Sequence, residues 1–141
     1  MAKLVLDNCY VLMGATNPPV YNLSDHIASI TLSTVHDIIE TTEFGQIAKT
    51  RIAGLADNSV TFEFHQDFST GSVEDVIYPA LGTALNCIIK PNGNVTSATN
   101  PAYSFSVLIS EWTPLNGSAG DLATASVTWP ISGEITKTTT P

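Results

Sequence analysis

An antiparallel β-sandwich carrying one short helix is the fold that three features of the sequence predict. Apolar and polar residues alternate at period two in several short segments; Ser and Thr are plentiful while charge is sparse; and clusters of Gly, Pro, Asn and Asp separate the alternating segments. At 141 residues the chain reads as a single domain, 1–141, large enough to build a core without metal or disulfide support. About seven strands are expected from the spacing of the turn signals.

In chain order, the first strand runs from Lys3 to about Met13, with Leu4, Leu6, Tyr10 and Leu12 on one parity, and Gly14 and Asn17-Pro18-Pro19 end it. Val20 to Ile27 holds the turn formers Asn22, Ser24 and Asp25 and reads as a loop. Two alternating strands follow, Ser29–Val35 and Ser59–His65. Ile30, Leu32, Val60, Phe62 and Phe64 share the core-facing parity, which assigns Ser29, Thr31, Ser33, Thr61, Glu63 and His65 to the opposite face. Ser72 as N-cap, Glu74 and Asp75 in the first turn, and Val73, Val76, Ile77, Ala80 and Leu81 at helical spacing predict a helix of about two turns over Ser72–Ala80. Three further strands are expected at Ala84–Lys90, Ala102–Trp112 and Leu122–Ile131. Pro130 lacks the N–H a central strand uses and puts the last of these at an edge. The half-polar tail Ser132–Pro141 is expected to fray.

The two organising strands are joined by a connection at about 38–58, far longer than a hairpin turn and therefore a functional or partner-bound segment by default. It is expected to be a long inter-strand loop. Phe44, Ile47, Ile52 and Leu55 are apolar residues that a solvated loop does not need, and Lys49 and Arg51 are two of only five basic residues in the chain. Such a segment is best explained if it lies against another subunit.

The formal net charge of −8 argues against a nucleic-acid-binding surface, which needs basic residues to displace counterions. The N-terminal apolar run is broken by Asp7 and Asn8, so it is neither a signal-peptide core nor a membrane span, and synthesis in a cytosol is expected. Cys9 and Cys87 read as small buried hydrophobes, with a disulfide between them left open. His26, His36 and His65 have no metal-ligand spacing, no serine sits in a nucleophile-elbow motif, and the glycines form no phosphate loop. Glu63 and Glu111 read as solvated strand carboxylates rather than an acid–base pair, and the three N-glycosylation sequons read as chance products of a Ser/Thr-rich chain. The expectation is a protein without a catalytic centre, metal or cofactor.

Thr41-Thr42-Glu43-Phe44-Gly45, then Lys49-Thr50-Arg51-Ile52-Ala53-Gly54-Leu55-Ala56-Asp57, then Val60-Thr61-Phe62-Glu63-Phe64 resemble the central region of the major tail tube proteins of long-tailed, non-contractile bacteriophages. Asn100–Ser106 and Leu122–Gly133 resemble the same proteins in phages of actinobacteria. Glu43 and Gln46 depart from the family pattern around Phe44-Gly45. The resemblance implies a tail-tube β-sandwich, made in the bacterial cytoplasm and residing in the virion tail, six copies to a ring, with rings stacked around a channel. The channel would hold the tape measure protein and the phage DNA without sequence-specific binding. On this reading Phe44, Ile47, Lys49, Arg51, Ile52 and Leu55 belong to the inter-subunit loop, and Ser29, Thr31, Ser33, Thr61, Glu63 and His65 face the lumen. Two other classes fit the residues: a carbohydrate-binding sandwich using Trp112, Trp129 and Tyr103 as a platform, and a capsid-surface or minor tail protein.

Overall fold

The computed structural model describes residues 3–141. Eight strands, against the seven or so expected, form two antiparallel sheets, and one short helix lies between the fourth and fifth strands in sequence. The strands are β1 (Tyr10–Gly14), β2 (Tyr21–Asn22), β3 (Ile27–Glu40), β4 (Arg51–His65), β5 (Ala84–Lys90), β6 (Ala102–Leu108), β7 (Thr124–Pro130) and β8 (Thr136–Thr138). The helix α1 spans Val73–Ile77 and continues into a 3-10 turn, Tyr78–Ala80. One sheet has the order β2-β1-β5-β6-β8 and the other β3-β4-β7.

The core lies between the sheets and is built by period two. Val60, Phe62 and Phe64 of β4, Ala125, Val127 and Trp129 of β7, and Leu85, Cys87 and Ile89 of β5 are all buried, each set on alternate positions. Phe62, Phe64, Trp112 and Trp129 form an aromatic cluster, with ring centroids from 5.1 Å (Phe62–Phe64) to 6.4 Å (Trp112–Trp129). Val73, Val76, Ile77 and Ala80 add the apolar stripe of α1 to the same core. Ser72 stands at the N-cap without a side-chain cap bond. The first turn is instead held by the Asp67 carbonyl, which accepts from Glu74 N–H at 3.1 Å, and the Asp75 carboxylate accepts from Gly71 N–H at 2.8 Å.

Four expectations are corrected. The segment at 38–58 is not a loop: β3 continues to Glu40 and β4 begins at Arg51, paired through Ile39↔Ile52 and Glu40↔Arg51, so only Thr41–Thr50 turns. Strand β1 starts at Tyr10 rather than Lys3, because the chain bends at Asp7 and Asn8 before it joins the sheet. Strand β6 ends at Leu108 rather than Trp112: Ile109 bonds Thr83 and Gly82 instead of a strand partner, and Trp112 leaves the sheet to stack against Phe64. The tail does not simply fray, since Thr136–Thr138 pair with Ala102–Ser104 as β8.

Cys9 lies beyond the Tyr10↔Lys90 pair, whereas Cys87 stands opposite Met13. Their backbones are therefore on the order of 10 Å apart along the strands, beyond disulfide reach. Both thiols are free, and burial pushes Cys87 far above the ordinary thiol range.

Because Phe62 is fully buried at the centre of the aromatic cluster, Phe62→Ala should lower unfolding free energy by about 3–5 kcal/mol, whereas Thr31→Ala on the opposite face should change it by less than about 0.5 kcal/mol. Urea titration followed by tryptophan fluorescence checks both. A loss below about 1 kcal/mol for Phe62→Ala would contradict the packing described.

Candidate assembly surfaces

Three surfaces stand out: the outer face of the β3-β4-β7 sheet, the β3-β4 hairpin, and a groove along the edge of β3. No group of three or more His, Cys, Asp or Glu side chains gathers among the described residues in a way that could hold a metal.

The outer face follows from register. Ser29, Glu63 and Ser126 stand in one row, Thr31, Thr61 and Thr128 in the next, and Ser33 and Ser59 in the third. His65 lies beside Thr124. All six residues predicted for this face, Ser29, Thr31, Ser33, Thr61, Glu63 and His65, therefore share it. Thr61 and Thr128 link hydroxyl to hydroxyl across the strands at 3.1 Å. Ser126 and Thr128 belong to the face as well, which sequence reasoning missed. Their alternation was visible, but not that β7 pairs with β4. The face offers hydroxyls, one carboxylate and one imidazole, and no Lys or Arg.

The hairpin is the second surface. From Thr34 to Asp57 every residue except Gly54 is exposed, so the outer halves of β3 and β4 run out beyond the core. Phe44 and Ile47 at the tip are fully exposed, and Leu55, Ile38, Val35, Ile52 and Ile39 are uncovered along its length. The tip is nevertheless ordered by its own bonds. Thr41 N–H donates to Thr50 O (2.8 Å), Thr50 N–H to Thr42 Oγ1 (3.0 Å), Glu43 N–H to Gln46 Oε1 (2.6 Å), and Gln46 N–H to Glu43 O (3.3 Å). Gly45, at φ +90, makes the turn between Glu43 and Gln46 possible. Glu43 and Gln46 are thus the pair that closes the tip.

A register irregularity divides the hairpin between His36 and Ile38. Gly54 sits there beside Asp37: a Cβ would come within 3.2 Å of Asp37 Cβ and of Ile39 Cδ1, so a side chain here requires both neighbours to shift. The His36 Nδ1 donates to Gly54 O at 3.1 Å across this point, which assigns the proton to Nδ1. Of the residues predicted to contact a second subunit, Phe44, Ile47 and Lys49 lie in the turn and Arg51, Ile52 and Leu55 on β4.

The third surface is a groove of about 780 Å³ between β3 and the five-stranded sheet, lined by Leu4, Leu6, Ile30, Leu32, Tyr103 and Ile135 among others. Asn58 borders it. Its Nδ2 donates to Gly133 O (3.0 Å) and its backbone carbonyl accepts from Ile131 N–H (3.0 Å), while its buried Oδ1 has no partner among the described residues.

The residues of a carbohydrate platform form no exposed surface together, although Trp112 and Trp129 are neighbours in the aromatic cluster. Trp129 is fully buried and its Nε1 donates to Glu111 O at 2.8 Å. Trp112 packs on Phe64 and donates to Glu74 Oε2 at 2.7 Å, and Tyr103 is on the other sheet. Glu111 is engaged too, its Oε1 accepting from Thr128 N–H at 3.2 Å. At the far end of the sheet His26 Nε2 faces Asp67 Oδ2 at 3.3 Å. Asp67 also accepts from Ser69 N–H at 2.9 Å, and this bond above all holds its carboxyl below the usual range.

No family model matches the chain, and no curated protein matches it in sequence. Solved structures do match in fold. A protein in the virion of a native gene transfer agent particle superposes with a TM-score of 0.61 at 12% identity, covering 91% of this chain and 95% of that one. A protein in the six-fold symmetrised baseplate of the anti-feeding prophage superposes with a TM-score of 0.59 at 11% identity, covering 99% of this chain and 97% of that one. End to end, the chain therefore has the fold of a subunit from each of these two particles.

Proposed function

We propose that this chain is a structural virion protein, the major tail tube subunit of a phage of the long-tailed, non-contractile type, forming hexameric rings that stack around a channel for the genome. The observation that carries the reading is the β3-β4 hairpin, which holds Phe44, Ile47 and Leu55 out in water with nothing among the described residues to cover them. Each such side chain gains about 1.5–3 kcal/mol when buried, so a second copy that covers the hairpin is strongly favoured. Its fold likeness to subunits of a gene transfer agent virion and of a six-fold symmetrised baseplate supports an assembly of this kind.

In the proposed tube the β3-β4-β7 sheet turns its core face outward into the sandwich and its hydroxyl face to the channel. The genome and the tape measure protein then pass Ser29, Thr31, Ser33, Thr61, Glu63 and His65, none of them a Lys or Arg. Phosphates find no cation to bind, so passage breaks no salt-dependent contacts. The acidic charge of the chain, −8, adds a mild repulsion that keeps DNA from adhering to the wall. The role is structural rather than enzymatic, exercised in the virion tail after synthesis in the host cytoplasm.

Size-exclusion chromatography with negative-stain microscopy of the purified chain tests the proposal. Rings or tubes with a central channel are expected as concentration rises. A monodisperse monomer at all concentrations would favour a capsid-surface or minor tail component instead.

Two variants probe the two surfaces. Phe44→Ser with Ile47→Ser should leave the thermal midpoint of the monomer within a few degrees of the parent, since both residues are fully exposed, yet abolish tubes in micrographs. Tubes of normal length from this variant would remove the hairpin from the interface. Glu63→Lys should still assemble but slow genome ejection, because each ring repeats the new cation at every subunit and each phosphate contact must be broken in transit. Ejection at the parental rate, measured by dye uptake of released DNA, would take Glu63 off the channel wall.

A further inference from the structure

The β3-β4-β7 sheet has two outer edges, and they are not alike. Among the described residues the outer edge of β3 receives a hydrogen bond from outside the sheet only at its first residue, where Ile27 N–H donates to Ser24 O, and from Ser29 onward it is open. On β7 the outward backbone positions are Thr124, Ser126, Thr128 and Pro130, the parity opposite to Ala125, Val127 and Trp129, whose donors turn towards β4. Thr124 N–H is taken by Asn116 O at 3.2 Å. Pro130 has no N–H. Thr128 N–H is taken by the Glu111 carboxylate at 3.2 Å. Only Ser126 is left as an outward donor without a partner among the described residues.

Of these caps, Asn116 O belongs to a loop and Pro130 is permanent, but Glu111 acts through an exposed, flexible side chain. Its bond, 3.2 Å long, is at the long end of the ordinary range and is made from the solvent side, where water can replace it. Exposed strand edges are templates for pairing with another chain, and a charged side chain laid over an edge is one way to blunt them.

We propose that Glu111 guards the β7 edge of the free chain: its carboxylate occupies Thr128 N–H until the β3 edge of a second copy displaces it. The proposal rests on the reading of the chain as self-assembling through the edges of this sheet. Guarding one edge of each copy while the other stays open makes β3-to-β7 pairing wait on release of the carboxylate. The Glu111 backbone carbonyl, which accepts from buried Trp129 Nε1, keeps the segment in place while the side chain swings away.

The test compares the full-length chain with Glu111→Ala, Glu111→Gln and the double variant Glu111→Ala/Thr128→Pro, with Glu134→Ala as a surface control. Circular dichroism first verifies that each is folded. In Glu111→Ala, hydrogen exchange at the Thr128 amide should speed at least ten-fold in the monomer. Light scattering should show self-association several-fold faster, and the Thr128 amide should be protected again in the product. Glu111→Gln, which keeps an oxygen acceptor, should stay near the parent, as should Glu134→Ala. Thr128→Pro removes the donor at an outward position where proline is tolerated, and should cancel the gain. Faster exchange at Thr128 with unchanged association would overturn the guard, as would faster association with Thr128 unprotected in the product. Paired chains with Thr128 protected but no rings in micrographs would leave the guard standing and remove the ring reading. Rings that form at the parental rate from Glu111→Ala would do the reverse.

Discussion

Strand β4 is the constraint on which the molecule depends. It is paired on both sides, to β3 and to β7, and Val60, Phe62 and Phe64 on one of its faces are fully buried. A slip of one residue would send all three into solvent and bring Thr61, Glu63 and His65 into the aromatic cluster, so the register of the whole sheet is tied to the core. The hydroxyl character of the outer face is a consequence of that register. Whatever meets this face meets the residues the core did not take.

Beyond residue 57 towards its start, β4 leaves the core behind and pairs only with β3. A two-stranded ribbon standing alone is marginal in water, but this one is rooted in a packed sheet and closed by a bonded turn at Thr41–Thr50. Backbone pairing gives it shape without giving its apolar side chains any cover. This combination of an ordered backbone with uncovered Phe44, Ile47 and Leu55 suits a preformed interface element better than a segment that folds on contact, since the ordering entropy is met before binding. The bulge at Gly54 interrupts the pairing between the rooted part of the hairpin and its outer part.

Several carboxylates and amides hold segments of the chain together. Glu74 receives Trp112 Nε1 and Gln66 Nε2, fastening α1 to the aromatic cluster and to the end of β4. Asn58 ties β4 to the chain leaving β7, and Asn100 gathers the carbonyls of Asn92 and Asn94 in the loop before β6. Groups that could be suspected of chemistry in a list of residues are, in place, acceptors and donors for buried N–H and C=O groups, which is the arrangement expected when a core must be closed without leaving polar atoms bare.

Strands whose one face is buried were legible in the sequence, because burial writes a period of two: the core parity of Ile30, Leu32, Val60, Phe62 and Phe64 follows from it, while the edge position of Pro130 follows from its missing N–H. The apolar stripe of α1 was legible too. The outer hairpin was not legible as strand, because a ribbon exposed on both faces has no face to mark; Ile38 and Ile39 are adjacent, and the bulge at Gly54 breaks the parity. Strand β8 was hidden for a related reason, its Thr-Lys-Thr being polar and held only by the free edge of β6. Strand order was likewise beyond the sequence. Hydrogen bonds between strands are made by backbone atoms that are the same in every residue, so only the folded chain could decide that β7 lies beside β4, that Trp129 is buried rather than displayed, and that Glu111 comes to rest on the edge at Thr128.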